Sequence, residues 1–395
     1  MPTIQMDPAT RDALAMLAGG HVREAIAALE LILCQRPGDA DALLGLARAQ
    51  IAAQRPELAE PLLKRLLVAH PGHREGRSHL SLLRVHHGDP SALHDLQELS
   101  DAPGAGFLEH YNLGTALLEL EDLAGAEAAT LKALAAEPDH PTGHARMGEI
   151  ALQRGDLRAA AEHFRWMVAA LPGEPVGWML LAQANALAGE EERALRTLEA
   201  ALEQLPGSQA LLECLHGLAM RAGAGRRALR AAADLWELDP ESADAAYRLG
   251  SAALVAGHIV QARDAFLVAV KIAPGQWMAR RGLAKVCAAL GELDRAAEEL
   301  EKALELCPGQ ADVVNDLAAL WLRRSVPARV EPVLRRALKA YPEEPRLHLN
   351  MAVALAMLGR EREALPHAEL AAGSEDAEIS EPAARLRSQL RRRAA

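Results

Sequence analysis

The sequence predicts an all-α fold, a solenoid of antiparallel helix pairs, and two observations support this prediction. Seven prolines stand 34 residues apart, at Pro138, Pro172, Pro206, Pro240, Pro274, Pro308 and Pro342. A fixed period of this length is typical of repeat proteins, in which each unit buries its apolar face only against its neighbours. Alanine and leucine also dominate a composition with only 3% aromatic residues, which favours helices over strands.

Residues 142–172 show how one unit is built. Apolar residues recur three and four positions apart on both sides of Gly155, which indicates two amphipathic helices. Gly155 supplies a left-handed residue that ends the first helix, and Asp156 supplies a cap that starts the second. Pro172 ends the second helix because it lacks an amide hydrogen and clashes with the preceding turn.

Aligning the units on their prolines gives columns, each of which holds one residue per unit. The small column, in the first helix, holds Gly114, Gly148, Ala182, Gly250, Ala284, Ala318 and Ala352. The bulky column, in the second helix, holds larger apolar residues such as Phe164, Leu198, Phe266 and Leu300. Small residues allow paired helices to cross closely without a void. His216 stands in the small column, so we expect it to push two helices apart or to form a local hydrogen bond.

These columns resemble the tetratricopeptide repeat, whose pattern is a Leu-Gly pair, a later alanine, an aromatic residue or leucine, and a closing proline. Leu113-Gly114, Ala126, Ala133 and Pro138 match this pattern. The resemblance covers almost the whole chain and implies about eleven repeats in a right-handed superhelical solenoid. It also implies that the first helices of successive repeats line a concave groove, which is the usual binding surface of such proteins.

One irregularity in the period predicts how the chain is organised. Pro71 and Pro138 are 67 residues apart, one fewer than two periods. We therefore expect repeats resembling the tetratricopeptide type over residues 1–73, an irregular short repeat over residues 74–106, eight further repeats over residues 107–378, and a capping helix with a basic end over residues 379–395.

Charge and composition favour a soluble protein that does not bind nucleic acid. The formal net charge is −11 and the isoelectric point is about 5.8, which argues against a general affinity for phosphates. The arginines near the C-terminus suit a solvated helix end, with a membrane or nucleic-acid contact as the alternative. The N-terminal MPTIQMDPAT lacks the features of a signal peptide, and no apolar run is long enough to span a membrane. We expect a cytoplasmic protein.

Nothing in the sequence predicts catalysis, a cofactor or a metal site. No nucleophile elbow, phosphate loop or zinc-protease motif is present, and acidic pairs such as Glu298-Glu299 are expected on exposed faces. Six histidines lie between His70 and His94, but metal binding needs three or four converging ligands, so a polar or pH-sensitive surface is favoured. The four cysteines are far apart and are expected to be buried free thiols.

The resemblance also identifies candidate contact residues in the concave groove. They are Tyr111, Asn112, Arg146, Glu149, Met179, Gln183, Arg221, Tyr247, Arg248, Met278, Arg281, Lys285, Asn315, Arg323 and Asn350. Arg281 and Lys285 begin the pattern of a carboxylate clamp, but Asp316 stands where such a clamp needs asparagine. An asparagine ladder is not supported either, because its column holds only Asn112 and Asn350.

These residues predict a non-enzymatic scaffold that binds a protein or peptide in its concave groove. Guanidinium groups recognise carboxylates and methionines adapt to apolar surfaces, so a partner segment of acidic-apolar character is favoured. Equally open is that the arginines stay solvated or pair within the chain, with Glu149 and Asp244. The alternative functions are a subunit that recruits substrates for a separate modifying or secretion machine, and a scaffold that self-assembles through its terminal faces.

Overall fold

The structure of the protein, a computed structural model, describes residues 7–394. Over these residues the chain forms 23 helices and no strand, as an all-α repeat fold predicts. The chain divides into two units, unit 1 (Met1–Thr197) and unit 2 (Leu198–Ala395), and each is described here by itself. The prediction that no signal peptide is present concerns in part the first six residues, which lie outside the described part.

Unit 1 contains the first eleven helices and the start of the twelfth. They are α1 (Pro8–Ala18), α2 (Val22–Gln35), α3 (Ala40–Ala52), α4 (Pro56–Ala69), α5 (Arg74–His86), α6 (Ala92–Asp101), α7 (Phe107–Glu119), α8 (Leu123–Ala136), α9 (Pro141–Gln153), α10 (Leu157–Ala170), α11 (Pro175–Leu187) and α12 (Glu191–Gln204). The boundary between the units falls within α12.

Unit 2 contains the last part of α12 and the remaining eleven helices. They are α13 (Gln209–Arg221), α14 (Gly225–Leu238), α15 (Ala243–Val255), α16 (Ile259–Ile272), α17 (Trp277–Ala289), α18 (Leu293–Leu306), α19 (Ala311–Arg323), α20 (Pro327–Ala340), α21 (Pro345–Met357), α22 (Glu361–Ala372) and α23 (Ala377–Ala394).

Apart from α12, which the unit boundary divides, an odd-numbered helix packs against the even-numbered helix that follows it, and each pair packs against the next within its unit. The element order gives eleven such pairs and one further helix, in agreement with the predicted number of about eleven repeats. The predicted class, a stack of antiparallel helix pairs, is therefore confirmed. We refer below to the odd-helix face and the even-helix face of each unit.

The turn inside each pair forms as the sequence predicts. Gly155 has a φ of 77°, a left-handed conformation that glycine adopts without a steric penalty. Asp156 then caps α10 by accepting a hydrogen bond of 3.0 Å from the amide of Ala159. At the other end of the repeat, α8 ends at Ala136, two residues before Pro138. The period of prolines therefore marks the ends of the even-numbered helices.

The small and bulky columns meet inside each helix pair. A Cβ atom placed on Gly148 would lie 2.3 Å from the ring of Phe164, and one on Gly250 would lie 2.7 Å from Phe266. Both phenylalanines are fully buried. Close packing therefore explains why the first-helix residue must be small wherever the second-helix residue is large.

His216 meets neither of our two expectations in full. Only 7% of the residue is exposed, and neither ring nitrogen has a hydrogen-bond partner, so the expected local hydrogen bond is absent. The bulky column of the same helix pair holds Ala232, which is fully buried. His216 is accommodated because Ala232, which stands in the facing bulky column, has only a methyl group as its side chain.

The irregular segment predicted over residues 74–106 contains α5 and a short α6 of 10 residues. Arg74 fixes the end of α6, because its guanidinium donates hydrogen bonds to the carbonyl oxygens of Leu99 and Pro103 at 3.3 and 3.1 Å. Beyond this short helix, α5 packs directly against α7. A buried hydrogen bond of 2.9 Å from Asn112 to Ser78 joins these two odd-numbered helices.

Two expectations about burial are wrong. The four cysteines are free, but only Cys287 is buried, whereas Cys34 is exposed. Glu299 is buried rather than exposed, because it accepts hydrogen bonds of 2.9 Å from both Arg280 and Lys302. Two cations thus compensate the carboxylate for its loss of water.

No helix in the described part of the chain is long and apolar enough to cross a membrane.

Candidate functional site

A depression on the odd-helix face of unit 2 brings together several of the predicted groove residues. It lies between α17 and α19 and has a volume of about 440 Å³. Its lining residues are Ala284, Lys285, Ala288, Ala289, Leu300, Asp316, Ala319, Leu320 and Arg323. We call it the α17–α19 depression. The floor of the depression is apolar, and it lies below the surrounding surface because most of the residues there are alanines with short side chains.

Arg281 is already committed to partners within the chain. Its Nε donates to Oδ2 of Asp316 at 2.6 Å, and its Nη1 donates to Oδ2 of Asp312 at 3.0 Å. Partial burial by itself would lower the pKa of Arg281, but the hydrogen bonds and charges of the two aspartates hold it above its ordinary value. Asp316 is therefore held by Arg281, which it shares with Asp312.

Lys285 and Arg323 are the two cations that remain available beside the alanine floor. Nζ of Lys285 lies 3.9 Å from Oδ2 of Asp316, and 48% of the lysine side chain is exposed. Arg323 is exposed at the C-terminal end of α19 and forms no ion pair with the described residues. An apolar floor with two accessible cations suits a carboxylate carried beside a small apolar side chain.

The other predicted residues of unit 2 lie outside this depression. Arg248 is paired with Asp244 through a bond of 2.6 Å from Nε to Oδ2, as one of our two interpretations of the arginines expected. The amide of Asn350 donates to Asn315 at 3.0 Å, which joins α21 to α19. Arg221 and Met278 are exposed, and Tyr247 is half-buried with its ring 6.0 Å from that of Phe266.

In unit 1 the structure brings three of the predicted residues into one cluster. Arg146 donates to Glu149 at 2.9 Å and to the hydroxyl of Tyr111 at 3.0 Å, and its guanidinium lies 5.2 Å from the centre of the Tyr111 ring. The pairing with Glu149 that we considered is therefore present. Most of the hydrogen-bonding capacity of Arg146 is used within the chain.

Three further predicted residues of unit 1 differ in their accessibility. Asn112 is buried and donates to Ser78. Met179 is half-buried and Gln183 is exposed, one turn apart on α11. These two side chains lie on the same face of that helix.

Sequence reasoning missed the floor of the α17–α19 depression. Ala288 and Ala319 lie three residues after Lys285 and Asp316, on the same faces of their helices. This spacing was the available signal, because residues three or four apart share a helix face. Alanines attract no attention in a search for charged contacts, although their small size creates the space.

The histidines between His70 and His94 do not converge. His79, His86, His87 and His94 lie near four different carboxylates, those of Glu75, Glu119, Glu60 and Glu98, at 3.3 to 3.7 Å. His73 accepts a hydrogen bond from the amide of Gly76 and so caps α5. Within residues 7–394, no three His, Cys, Asp or Glu side chains are grouped in a way that could hold a metal ion.

Comparison with protein families gives one consistent result. Three family models described as tetratricopeptide repeat match the chain, one over residues 16–83, one over residues 111–175, 145–209 and 218–276, and one over residues 277–320. Together these matches cover more than half of the sequence. Among curated proteins, none matches the chain significantly.

Several solved structures are similar to the chain at low sequence identity. Yeast Tom70 is 14% identical, over 98% of this chain and 95% of Tom70, with a TM-score of 0.48. The APC/C hetero-tetramer Cut9-Hcn1 gives 13% identity, 96% and 95% coverage, and a TM-score of 0.46. A tetratricopeptide repeat protein from Parabacteroides merdae gives 19% identity, 63% and 98% coverage, and a TM-score of 0.44. Similarities of this size say nothing about partners.

Proposed function

The chain belongs to the tetratricopeptide-repeat family, and from this premise we propose that it is a non-enzymatic scaffold that binds a protein segment on its odd-helix face. The α17–α19 depression is the observation that supports this proposal most directly. It combines an alanine floor with two accessible cations, and the one acidic side chain in its lining, that of Asp316, accepts a hydrogen bond from Arg281.

The partner segment is acidic and apolar. A carboxylate, from Asp, Glu or a chain terminus, lies between Lys285 and Arg323, and a neighbouring small apolar side chain rests on Ala288 and Ala319. The arginine can hold the carboxylate through two parallel hydrogen bonds, whereas the lysine acts as a point charge. Arg281 orders the site by holding the carboxylate of Asp316 in place.

The test is capture of partners on the immobilised full chain, followed by affinity measurement with the segment identified. The double substitution Lys285→Glu with Arg323→Glu is expected to weaken binding by tenfold or more, because each charge-assisted hydrogen bond contributes about 1.5–3 kcal/mol. Binding is also expected to weaken as salt concentration rises, since the recognition is electrostatic.

A matched control carries the same change in charge on the opposite side of unit 2. Arg336 and Lys339 are exposed on the even-numbered helix α20, and Arg336→Glu with Lys339→Glu is expected to leave binding unchanged. If both double variants capture the same partners with the same affinity as the native chain, the α17–α19 depression is not the binding site.

A further inference from the structure

Helix α16 exposes an apolar stripe on the even-helix face of unit 2. The exposed fractions are 58% for Val260, 37% for Leu267, 36% for Val268 and 40% for Ile272. These four residues, which we call the α16 stripe, recur at helical spacing on the solvent side of a helix whose inner side already packs in the core. An exposed apolar patch of this kind indicates an interaction surface.

The repeat fold does not require the apolar residues Val260 and Leu267 of this stripe, because other repeats carry charged residues in the same columns. The column of Val260 also holds Arg158, Glu192, Arg226, Asp294 and Arg362. The column of Leu267 also holds Arg165, Glu199, Glu301, Arg335 and Glu369. The even-numbered helices therefore fold with charges at these positions, and the apolar residues of α16 have another role.

A cleft on the same face of unit 2 provides a complementary surface. It is lined by the C-terminal part of α12, by α13 and by α14, and its volume is about 1050 Å³. We call it the α14 cleft. Its apolar lining consists of Leu202, Pro206, Leu212, Leu215, Ala231 and Leu238.

The charges around the α14 cleft are ordered along α14. Arg226 and Arg230 lie in its first half, and Asp234 and Glu237 lie in its second half, beside Glu203 of α12. Among the described residues, none of these five side chains forms an ion pair.

The α16 stripe carries the opposite order of charges. Asp264 lies in its first half, in the column of Arg230, with its Oδ1 atom 3.6 Å from Nε of Arg263, and Lys271 lies in its second half, in the column of Glu203 and Glu237. Because residues of one column stand at the same place in their helices, a stripe laid parallel to α14 sets Asp264 against Arg230 and Lys271 against Glu237.

We propose that a second copy of this chain binds here, the α16 stripe of each copy filling the α14 cleft of the other. A two-fold axis parallel to the helices generates this arrangement, because the rotation places the stripe of each copy against the cleft of the other. The rotation does not shift residues along the helix direction, so residues of one column in the two copies stay level with each other. The interface is then closed and self-complementary, so association stops at the dimer. The odd-helix faces of both copies stay free, and one particle presents two peptide sites.

The first experiment is light scattering of the full chain across a range of concentrations. The expected mass approaches twice the chain mass of 42.3 kDa as concentration rises. Leu267→Glu is expected to keep the protein monomeric, because it places a charge against an apolar cleft. This variant is expected to fold, since Glu199, Glu301 and Glu369 occupy the same column.

Leu131→Glu is the matched control. Leu131 is an exposed leucine in the same column on α8, where Ala124 and Lys132 replace the other residues of the stripe. Its substitution is expected to leave the dimer intact, and circular dichroism checks that both variants are folded.

A charge exchange tests the register. Lys271→Glu and Glu237→Lys are each expected to weaken the dimer about tenfold, and the double variant is expected to restore it. A native chain that stays monomeric overturns the proposal, as does a dimer that tolerates Leu267→Glu. Masses that grow beyond the dimer, or a double variant that is not restored, rule out the two-fold arrangement. Peptide binding on the odd-helix face is independent of each of these outcomes.

Discussion

Two helix pairs fill the same two columns in opposite ways. In α9–α10 the first helix carries Gly148 and the second carries the buried ring of Phe164. In α13–α14 the first helix carries the ring of His216 and the second carries Ala232. The comparison teaches that either helix of a pair can supply the bulky side chain at this contact.

The two solutions differ in their chemistry. The ring of Phe164 is apolar and gains from burial. The ring of His216 brings two nitrogens into the interior, and neither has a hydrogen-bond partner. Burial first, and the charge of Arg248 second, lower the pKa of His216. Burial of the His216 ring in the α13–α14 pair therefore costs folding free energy, whereas burial of the Phe164 ring in the α9–α10 pair does not.

The largest expected effect comes from emptying the bulky column. Phe164→Ala leaves a cavity against Gly148, which has no side chain to fill it, and is expected to destabilise the protein by about 3–5 kcal/mol. Urea unfolding followed by circular dichroism measures this loss. Val176→Ala, which truncates an exposed residue of α11, is the control and is expected to change stability by less than about 0.5 kcal/mol. Similar losses for both would mean that the column does not carry the packing.

A smaller effect is expected from filling the small column. Gly148→Ala places a methyl group 2.3 Å from the ring of Phe164, and is expected to destabilise the protein by about 1–3 kcal/mol. Gly217→Ala is the matched control, because it lies inside a helix with no atom within 4 Å of the added methyl group. It is expected to stabilise the protein by up to about 1 kcal/mol through helix propensity. Effects of the same sign at both glycines would contradict the packing argument.

The smallest expected effect is a difference in acid sensitivity. Because the pKa of His216 is lowered in the folded state, the unfolded chain binds a proton at this histidine more readily than the folded chain does. The stability of the protein is therefore unaffected by this histidine above a pH of about 6.5, and it decreases as the pH falls from there towards the lowered pKa. Unfolding free energies measured at a series of pH values are expected to fall less steeply for His216→Leu than for the native chain.

His163 and His367 sharpen this last comparison. Burial first, and a neighbouring histidine second, lower the pKa of each, so both are expected to add to the loss of stability in acid. His163 and His144 approach at 3.1 Å between their Nδ1 atoms, and His367 and His348 approach at 2.8 Å. His163→Gln is expected to reduce the acid slope as His216→Leu does. An unchanged slope in both variants would show that these rings are not the source of the acid sensitivity.

The sequence predicted most of the fold because each repeat is specified locally. Each signal acts within a few positions along the chain: the glycine and the capping residue of a turn, the spacing of apolar residues, and the closing proline. Accordingly, α9 ends just before Gly155 and α10 ends just before Pro172. Burial of single residues was harder to predict. Glu299 lies on the face expected to be exposed, yet it is buried because Arg280 reaches it from the preceding helix.

The candidate site was predicted only in part. Lys285 and Arg323 were found by their places in the repeat, and they line the α17–α19 depression. The sequence could not show that Arg281 is neutralised by Asp316, which lies 35 residues away on the next odd-numbered helix. Such a bond depends on the distance between two helices, and that distance is set by packing.

By itself, the sequence determined the period, the helix pairs and the family, and it predicted a set of side chains that face a ligand. Only the tertiary structure decided which of those side chains are free. A repeat fixes the positions of its backbone, but several charged or polar groups have their partners one repeat away, as Arg281, Asn112 and Asn350 do. The α16 stripe and the α14 cleft likewise depend on the tertiary structure, because an apolar residue is exposed only where no neighbouring helix covers it.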